Sequence, residues 1–353
     1  MRQLYKRWSA VLLVCAAMLS TSVPASAEGS GETGRKMLVP MGNAVGIDLD
    51  LQGVVVADVV DFHMAGQTVS PAKDAGIEPG DVIKSINGQE IRKGDDVKNA
   101  VQNLDGSVVP VRIERRGQML QFSVTPFCNE QGGYELGVWV RDGILGIGTL
   151  TFFDPENGTF GALGHPVSDM ETGRMVPVRC GTLHSASITG VVQGKPGKPG
   201  QLDGRFSQKT LGSVLKNTEG GIFGQLDGGL TAGGSRALPV AKKSEVQLGK
   251  ASIFSNISGE EVQEFSIEIT RIYYGTEKDM RTFMIRVTDD SLLAQTGGVV
   301  QGMSGSPIIQ NGRLIGAVTH VLVNDPTRGY GIFIENMLEA AQSTGQQPLP
   351  EAS

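Results

Sequence analysis

TGGVVQGMSGSPIIQNGRLIGAVTHV, residues 296–321, sets a serine between glycines (Gly302-Met303-Ser304-Gly305-Ser306-Pro307) ahead of two apolar runs. Those runs, 307–310 and 314–321, are joined by Asn311-Gly312, the strongest short hairpin signal. A serine hydroxyl is a poor nucleophile near neutral pH and needs a base beside it, so the setting matters more than the residue. The glycines let the backbone turn sharply. The N–H groups of Gly302 and Ser304 are then placed to converge on a developing oxyanion. A glycine turn between buried strands needs no G-x-S-G-S-P order, and that order points to Ser304 as a nucleophile.

The chain has 353 residues, enough for two domains, and its 49 glycines with 19% charged residues predict a turn-rich, mainly β protein. A net charge of −6 with no local basic cluster argues against nucleic acid as a partner. Arg2, Lys6 and Arg7, the apolar run 8–19 and Ala25-Ser26-Ala27 read as a signal peptide or signal anchor over residues 1–27, hence an exported chain. Residues 28–36 are a Gly/Ser-rich linker. Beyond the signal segment only Cys128 and Cys180 remain, and the sequence leaves their pairing open. Histidines and cysteines are scattered without metal-ligand spacing, so no metal or cofactor is expected.

In residues 37–126 the strand candidates are 45–51, 53–60, 108–114 and 119–125, with helices at 70–76 and 95–104. Val97, Ala100, Val101 and Leu104 form one apolar helical stripe. The run SPAKDAGIEPGDVIKSINGQEI, residues 70–91, resembles a PDZ domain of the bacterial protease-associated kind. That resemblance implies a carboxylate-binding loop over 42–47 and a strand at 45–49 to which peptide C-termini add. Gly42, Val45, Gly46 and Ile47 would then bind substrate. A purely structural β domain is the alternative. Residues 127–341 form a series of short strands with turns at regular spacing, predicting a β-barrel or sandwich. A helix at 334–341 and a loose tail, 342–353, close the chain.

The base for Ser304 is sought among His63, His165, His184 and His320. His165 ends a strand in a turn beside Gly164, which exposes its imidazole, and is favoured; His184, inside a predicted strand, is the alternative. Asp169, Asp203, Asp227, Asp289 and Asp290 all remain candidates for an orienting carboxylate.

The stretches FGALGHPVSD (160–169), GIFGQL (221–226) and the run 288–333 resemble the sporulation stage IV protein B (SpoIVB) peptidase family. The resemblance implies a PDZ domain followed by a chymotrypsin-like double β-barrel. It makes His165 the general base, Ser304 the nucleophile and Asp289, fifteen positions before the serine, the acid; Asp290 stands where proline is common in the family. In the chymotrypsin class the strand carrying His320 walls the substrate pocket, which makes His320 a candidate for hydrogen bonding substrate. The implied function is a secreted or membrane-tethered serine endopeptidase in the forespore intermembrane space. It would cleave itself and a membrane-bound regulator of an intramembrane protease, with pro-sigma-K processing following. Two rivals stand beside it. One is an HtrA-like extracytoplasmic quality-control protease, whose PDZ domain comes after the protease domain; the other is a PDZ scaffold with a dead barrel.

Overall fold

The computed structural model describes residues 34–64, 67–169, 173–227, 236–274 and 280–343. The signal segment, nearly all of the linker and the tail from 344 lie outside the described residues. From Lys36 onward the chain forms one compact unit.

It enters through β1 (Met37–Pro40) and the sixteen-residue β2 (Ala44–Val59). A hairpin, β3 (Phe62–Met64) and β4 (Gln67–Val69), leads into α1 (Pro71–Ala75). Then follow β5 (Val82–Ile86), β6 (Gln89–Glu90), α2 (Gly94–Gln102), β7 (Val109–Arg115) and β8 (Gln118–Val124). Gly76 at φ 94° closes α1, and Asn87-Gly88 turns β5 into β6. The small hairpin β9 (Phe127–Cys128) and β10 (Tyr134–Glu135) precedes β11 (Val138–Phe153), again sixteen residues long.

The remaining strands of the first half are β12 (Thr159–Ala162), β13 (Val178–Val192), β14 (Gln201–Thr218) and β15 (Gly221–Leu226). β2 pairs with β11 on one side and β13 on the other, while β11, β12, β15, β14 and β13 pair in succession. The six strands therefore close into a barrel around Val45, Leu49, Leu150, Phe160, Leu183 and Val214. A two-residue strand, β16 (Leu238–Pro239), lies against β1.

The second half holds β17 (Gly249–Ser255), β18 (Gln263–Ile272), β19 (Phe283–Val287), α3 (Asp290–Thr296), β20 (Pro307–Gln310), β21 (Arg313–Val321) and β22 (Arg328–Phe333). Its six strands form a second closed barrel around Ile253, Phe265, Ile285, Met303 and Val318. Helix α4 (Ile334–Gln342) covers its end, with Ile334 and Met337 fully buried. Among the described residues no helix is long and apolar enough to cross a membrane. The expected mainly β architecture with two barrels is thus present.

The N-terminal boundary of the PDZ domain needs correction. Residues 37–51, expected in the PDZ domain, belong to the first barrel. The two segments expected as separate strands, 45–51 and 53–60, are one continuous β2. Its first half pairs with β13 and its second half, at Val54 and Val55, with β5. The PDZ domain is therefore inserted between β2 and β11, and the ends of both strands, through Val54, Val56, Val138 and Val140, supply part of its core. A single residue slip in either strand would turn its buried side chains outward in both domains. Helix α3 was not anticipated, although Asp289 before it and Gly297, at φ 74°, after it are the usual start and stop residues.

Inside the PDZ domain Asp81, 1% exposed, is held by Arg115 through two hydrogen bonds, Nε–Oδ1 at 2.6 Å and Nη2–Oδ2 at 2.7 Å. The carboxylate beside it raises the Arg115 pKa. Removing the guanidinium leaves a buried charge without its partner, so Arg115→Ala is expected to cost about 3 kcal/mol in urea unfolding. Because β2 and β11 belong to both domains, the variant should still unfold in one transition rather than lose the PDZ domain first.

Candidate active site

The turn that carries Ser304 crosses from the second barrel to the first. Gly302 and Gly305 both sit at φ 98°, a conformation that L side chains rarely adopt. A Cβ on Gly305 would stand 2.1 Å from the Thr149 carbonyl oxygen, so the turn is seated directly on β11. Thr149 fastens it twice: its N–H donates to Ser304 O at 3.1 Å and its Oγ1 donates to Gly302 O at 2.7 Å. Ser306 is buried, its hydroxyl 3.1 Å from Ser255 Oγ, and holds the hairpin from within. The N–H groups of Gly302 and Ser304 donate to no protein acceptor among the described residues, which is what a receptor for an oxyanion requires.

His165 comes from the opposite barrel. It follows β12 after Leu163 and Gly164, which lie at φ 69° and 71°; a leucine there is a strained position of the kind that collects at functional sites. A Cβ on Gly164 would reach Ile332 Cγ2 at 2.9 Å, so only glycine lets the turn lie this close to β22. His165 Nδ1 lies 2.9 Å from Pro166 O. A carbonyl only accepts, so Nδ1 carries the proton and Nε2 keeps its lone pair. Burial lowers the His165 pKa, and the Pro166 carbonyl works in the opposite sense.

Ser304, Gly302, His165 and His320 line one cleft of about 590 Å³ between the barrels, together with Ile47, Ile144 and Ile147. None of the residues lining it is Asp, Glu, Lys or Arg. The His165 and His320 ring centroids are 5.0 Å apart, tilted by 41°. His320 Nδ1 is buried with no hydrogen-bond partner among the described residues. Burial first, then the neighbouring His165 and Arg281, push its pKa down to about 4. The Ser304 hydroxyl donates to Thr319 O at 2.6 Å, so this side chain rests on a backbone carbonyl of the strand that carries His320.

The family model for SpoIVB peptidase S55 matches residues 132–338, more than half of the chain. The chain belongs to the SpoIVB peptidase S55 family. A PDZ domain model matches residues 64–115. Among curated proteins, a "Putative zinc metalloprotease" of Clostridium perfringens is 36% identical over 69 residues, 20% of this chain and 21% of that protein. One of Agrobacterium fabrum is 26% identical over 175 residues, 47% and 45% of the two chains. The SpoIVB-family chain thus spans about a fifth to under half of these relatives. Among solved structures, the active form of the Rv3671c protease from M. tuberculosis is 16% identical with a TM-score of 0.31, covering 72% of this chain and 86% of that one. The thermostable serine protease AL20 is 14% identical with a TM-score of 0.32, covering 62% and 95%.

Several expected site residues of this SpoIVB-family chain lie elsewhere. Val45 and Gly46 cannot form a peptide-binding edge, because β2 between Ala44 and Leu51 is paired on both sides, with β11 and β13; Gly42, ahead of β2, donates its N–H to Leu150 O and accepts at its carbonyl from Asn256 N–H. Ile47, on the same strand, lines the Ser304 cleft instead. The apolar groove of the PDZ domain runs beside α2, between Val97 and Val101 on one side and Leu136, Gly137 and Val138 on the other. His184 sits in β13, across from Thr210 and Gly46, outside the cleft. His63 bonds Thr68 on an exposed hairpin. Cys128 and Cys180 are free thiols.

Asp289, expected beside His165, is the N-cap of α3. Its Oδ1 accepts from Ser291 N, Leu292 N and Ser291 Oγ, and its Oδ2 from Ser266 N. The Ser291 hydroxyl leads in holding its pKa low. No hydrogen bond joins it to an imidazole among the described residues; the Pro166 carbonyl fixes the His165 tautomer. The residue missed from sequence is Thr149, which carries no motif of its own.

Asparagine caps a helix nearly as well as aspartate. Asp289→Asn is therefore expected to keep kcat/KM on a peptide substrate within a few-fold, while Asp289→Ala loses about 1 kcal/mol of stability. A loss of several hundred-fold in the asparagine variant would return Asp289 to the role of acid. An unfolded histidine titrates near 6.5, well above folded His320, so the unfolded chain takes up the proton first as pH falls. The stability held by neutral His320 is complete above about pH 6.5 and drains away toward pH 4. His320→Gln should flatten the melting-temperature profile across that window.

Proposed function

We propose that this chain is a serine endopeptidase in which Ser304 attacks, His165 is the base, and the Gly302 and Ser304 N–H groups receive the oxyanion. One observation carries the reading: Ser304 and His165 face a single cleft from opposite barrels, with the Nδ1 proton of His165 committed to Pro166 O and Nε2 free. When substrate enters, the Ser304 hydroxyl leaves Thr319 O and passes its proton to Nε2 as Oγ bonds the scissile carbonyl carbon. The carbonyl oxygen takes the negative charge. The imidazolium then returns the proton to the leaving amine, and water repeats the sequence in reverse to free the acid. The uncharged cleft suits an apolar stretch around the scissile bond. A SpoIVB-family assignment fits the rest of the reading: an exported enzyme that trims itself and cuts a membrane-bound regulator of an intramembrane protease during sporulation. The groove beside α2 is the seat for peptide C-termini, in place of the strand at 45–49. The PDZ insertion ahead of most of the barrel strands sets this chain apart from an HtrA-like order.

A fluorophosphonate probe should label wild-type protein at Ser304, found by peptide mapping, and should leave Ser304→Ala unlabelled. His165→Ala should label at least about a hundred-fold more slowly, since the base is gone. Ser306→Ala should label at near the wild-type rate. Labelling of Ser306 in place of Ser304 would overturn the assignment.

A further inference from the structure

Strand β21 bulges where it passes Ser304. Val318 stands opposite Gly331 of β22 and His320 opposite Tyr330, so Thr319 is an extra residue with no partner across the ladder. Such bulges re-aim side chains and recur beside active sites. Here the bulge leaves the Thr319 carbonyl to the Ser304 hydroxyl, 2.6 Å away. Thr319 and His320 both line the Ser304 cleft.

These two residues carry polar atoms that the fold does not use. Thr319 Oγ1 and His320 Nδ1 are buried, and neither has a hydrogen-bond partner among the described residues. Peptide hydrolysis by Ser304 and His165 gives neither of them a task. Buried polar atoms are nearly always paired, so two orphans on consecutive residues beside a nucleophile call for a partner that arrives from outside. The chemistry of that partner is restricted. No residue lining the cleft is charged, so a charged side chain would enter without a counter-charge. His320 itself is neutral at neutral pH, its pKa pushed down to about 4 by burial first, then by His165 and Arg281. A neutral imidazole and a threonine hydroxyl offer both donors and acceptors. Once the Ser304 hydroxyl turns to His165, the Thr319 carbonyl is one more acceptor. A carboxylate could set only acceptors against it, whereas a carboxamide has an oxygen to accept and an NH2 to donate.

We propose that Thr319 and His320 select the residue whose carbonyl is cut, and that they take an uncharged amide side chain, glutamine or asparagine. The proposal rests on the peptidase reading and names its substrate class. The position follows from the geometry. Ser304 Oγ is the attacking atom and lies against Thr319 O, so the side chain beside the scissile carbonyl is the one within reach of the bulge. Its carboxamide oxygen accepts from Thr319 or His320, and its NH2 donates to Thr319 O. The aliphatic walls of the cleft, Ile47, Ile144 and Ile147, suit its methylenes and the apolar residues around it. An apolar side chain of equal size fills the same space but leaves both orphans unpaired, and a site built to hydrogen-bond rejects such an analogue strongly.

The test digests a mixed-sequence peptide library with the wild-type chain and reads the residue before each cut by mass spectrometry. Glutamine and asparagine should account for most cuts. In a well-cut peptide that glutamine is then changed to methionine, or the asparagine to leucine, and either to its carboxylate. Each change should lower kcat/KM at least about a hundredfold. Thr319→Val keeps the shape and the carbonyl but removes the hydroxyl; His320→Phe keeps a ring beside His165 but removes the nitrogens. Either variant should shrink the amide-to-apolar ratio about tenfold or more. A residue that only supports the fold would lower both peptides together and leave the ratio alone. The library needs no variant, so it decides the matter even where a variant fails to fold. Cuts after apolar or charged residues as often as after amides, an amide preference confined to another position, or a ratio unmoved in both variants would overturn the proposal while the wild-type chain still takes a fluorophosphonate at Ser304. If the wild-type chain takes none, the peptidase reading fails, and this selection with it.

Discussion

Two hydrogen bonds from Thr149 hold the catalytic turn on a barrel that is otherwise built from different chain. The N–H and hydroxyl of one buried residue bind the carbonyls of Ser304 and Gly302 across more than 150 positions of sequence. Those carbonyls are engaged by β11, while the N–H groups of the same two residues donate to no acceptor among the described residues. The backbone of the Ser304 turn is thus set by how the barrels are joined. Gly305, with Thr149 O where a Cβ would stand, enforces the same contact by exclusion.

His165 depends on that junction too. The strained pair Leu163 and Gly164 brings the imidazole against β21 and β22, and Leu163 N–H donates back to Thr149 O at 3.3 Å. One threonine therefore touches both the nucleophile turn and the turn bearing the base. Fixing the imidazole through the neighbouring Pro166 carbonyl requires no charge in the cleft. That suits a site whose walls are aliphatic, where a buried carboxylate would carry a desolvation penalty.

Much of this was legible in the sequence, and the failures share a cause. Glycine turns, Asn311-Gly312 and the order around Ser304 are local signals, and local geometry obeys them. The PDZ signature at residues 70–91 was equally local. What sequence could not show is pairing between distant segments. Residues 44–51 look like a PDZ strand because apolar periodicity is the same whichever partner a strand meets; only β11 and β13 on its two edges place it in the barrel. Asp289 illustrates the opposite error. The family resemblance implied an acid there, while the Asp…Gly297 pattern around LLAQT described a capped helix. Thr149 gives no signal, since a threonine in a strand is ordinary and its partners lie in another domain.

The insertion of the PDZ domain between β2 and β11 also sets an order in time. The PDZ core draws on residues 54 to 140, close in sequence, and contacts of short range form first. The first barrel cannot close until β15 has emerged, and the second waits for β22, whose strand completes the ring. A chain delivered from its N-terminus therefore completes its PDZ domain long before Ser304 and His165 can be brought to one cleft, so the two parts of the molecule are separated in time as well as in sequence.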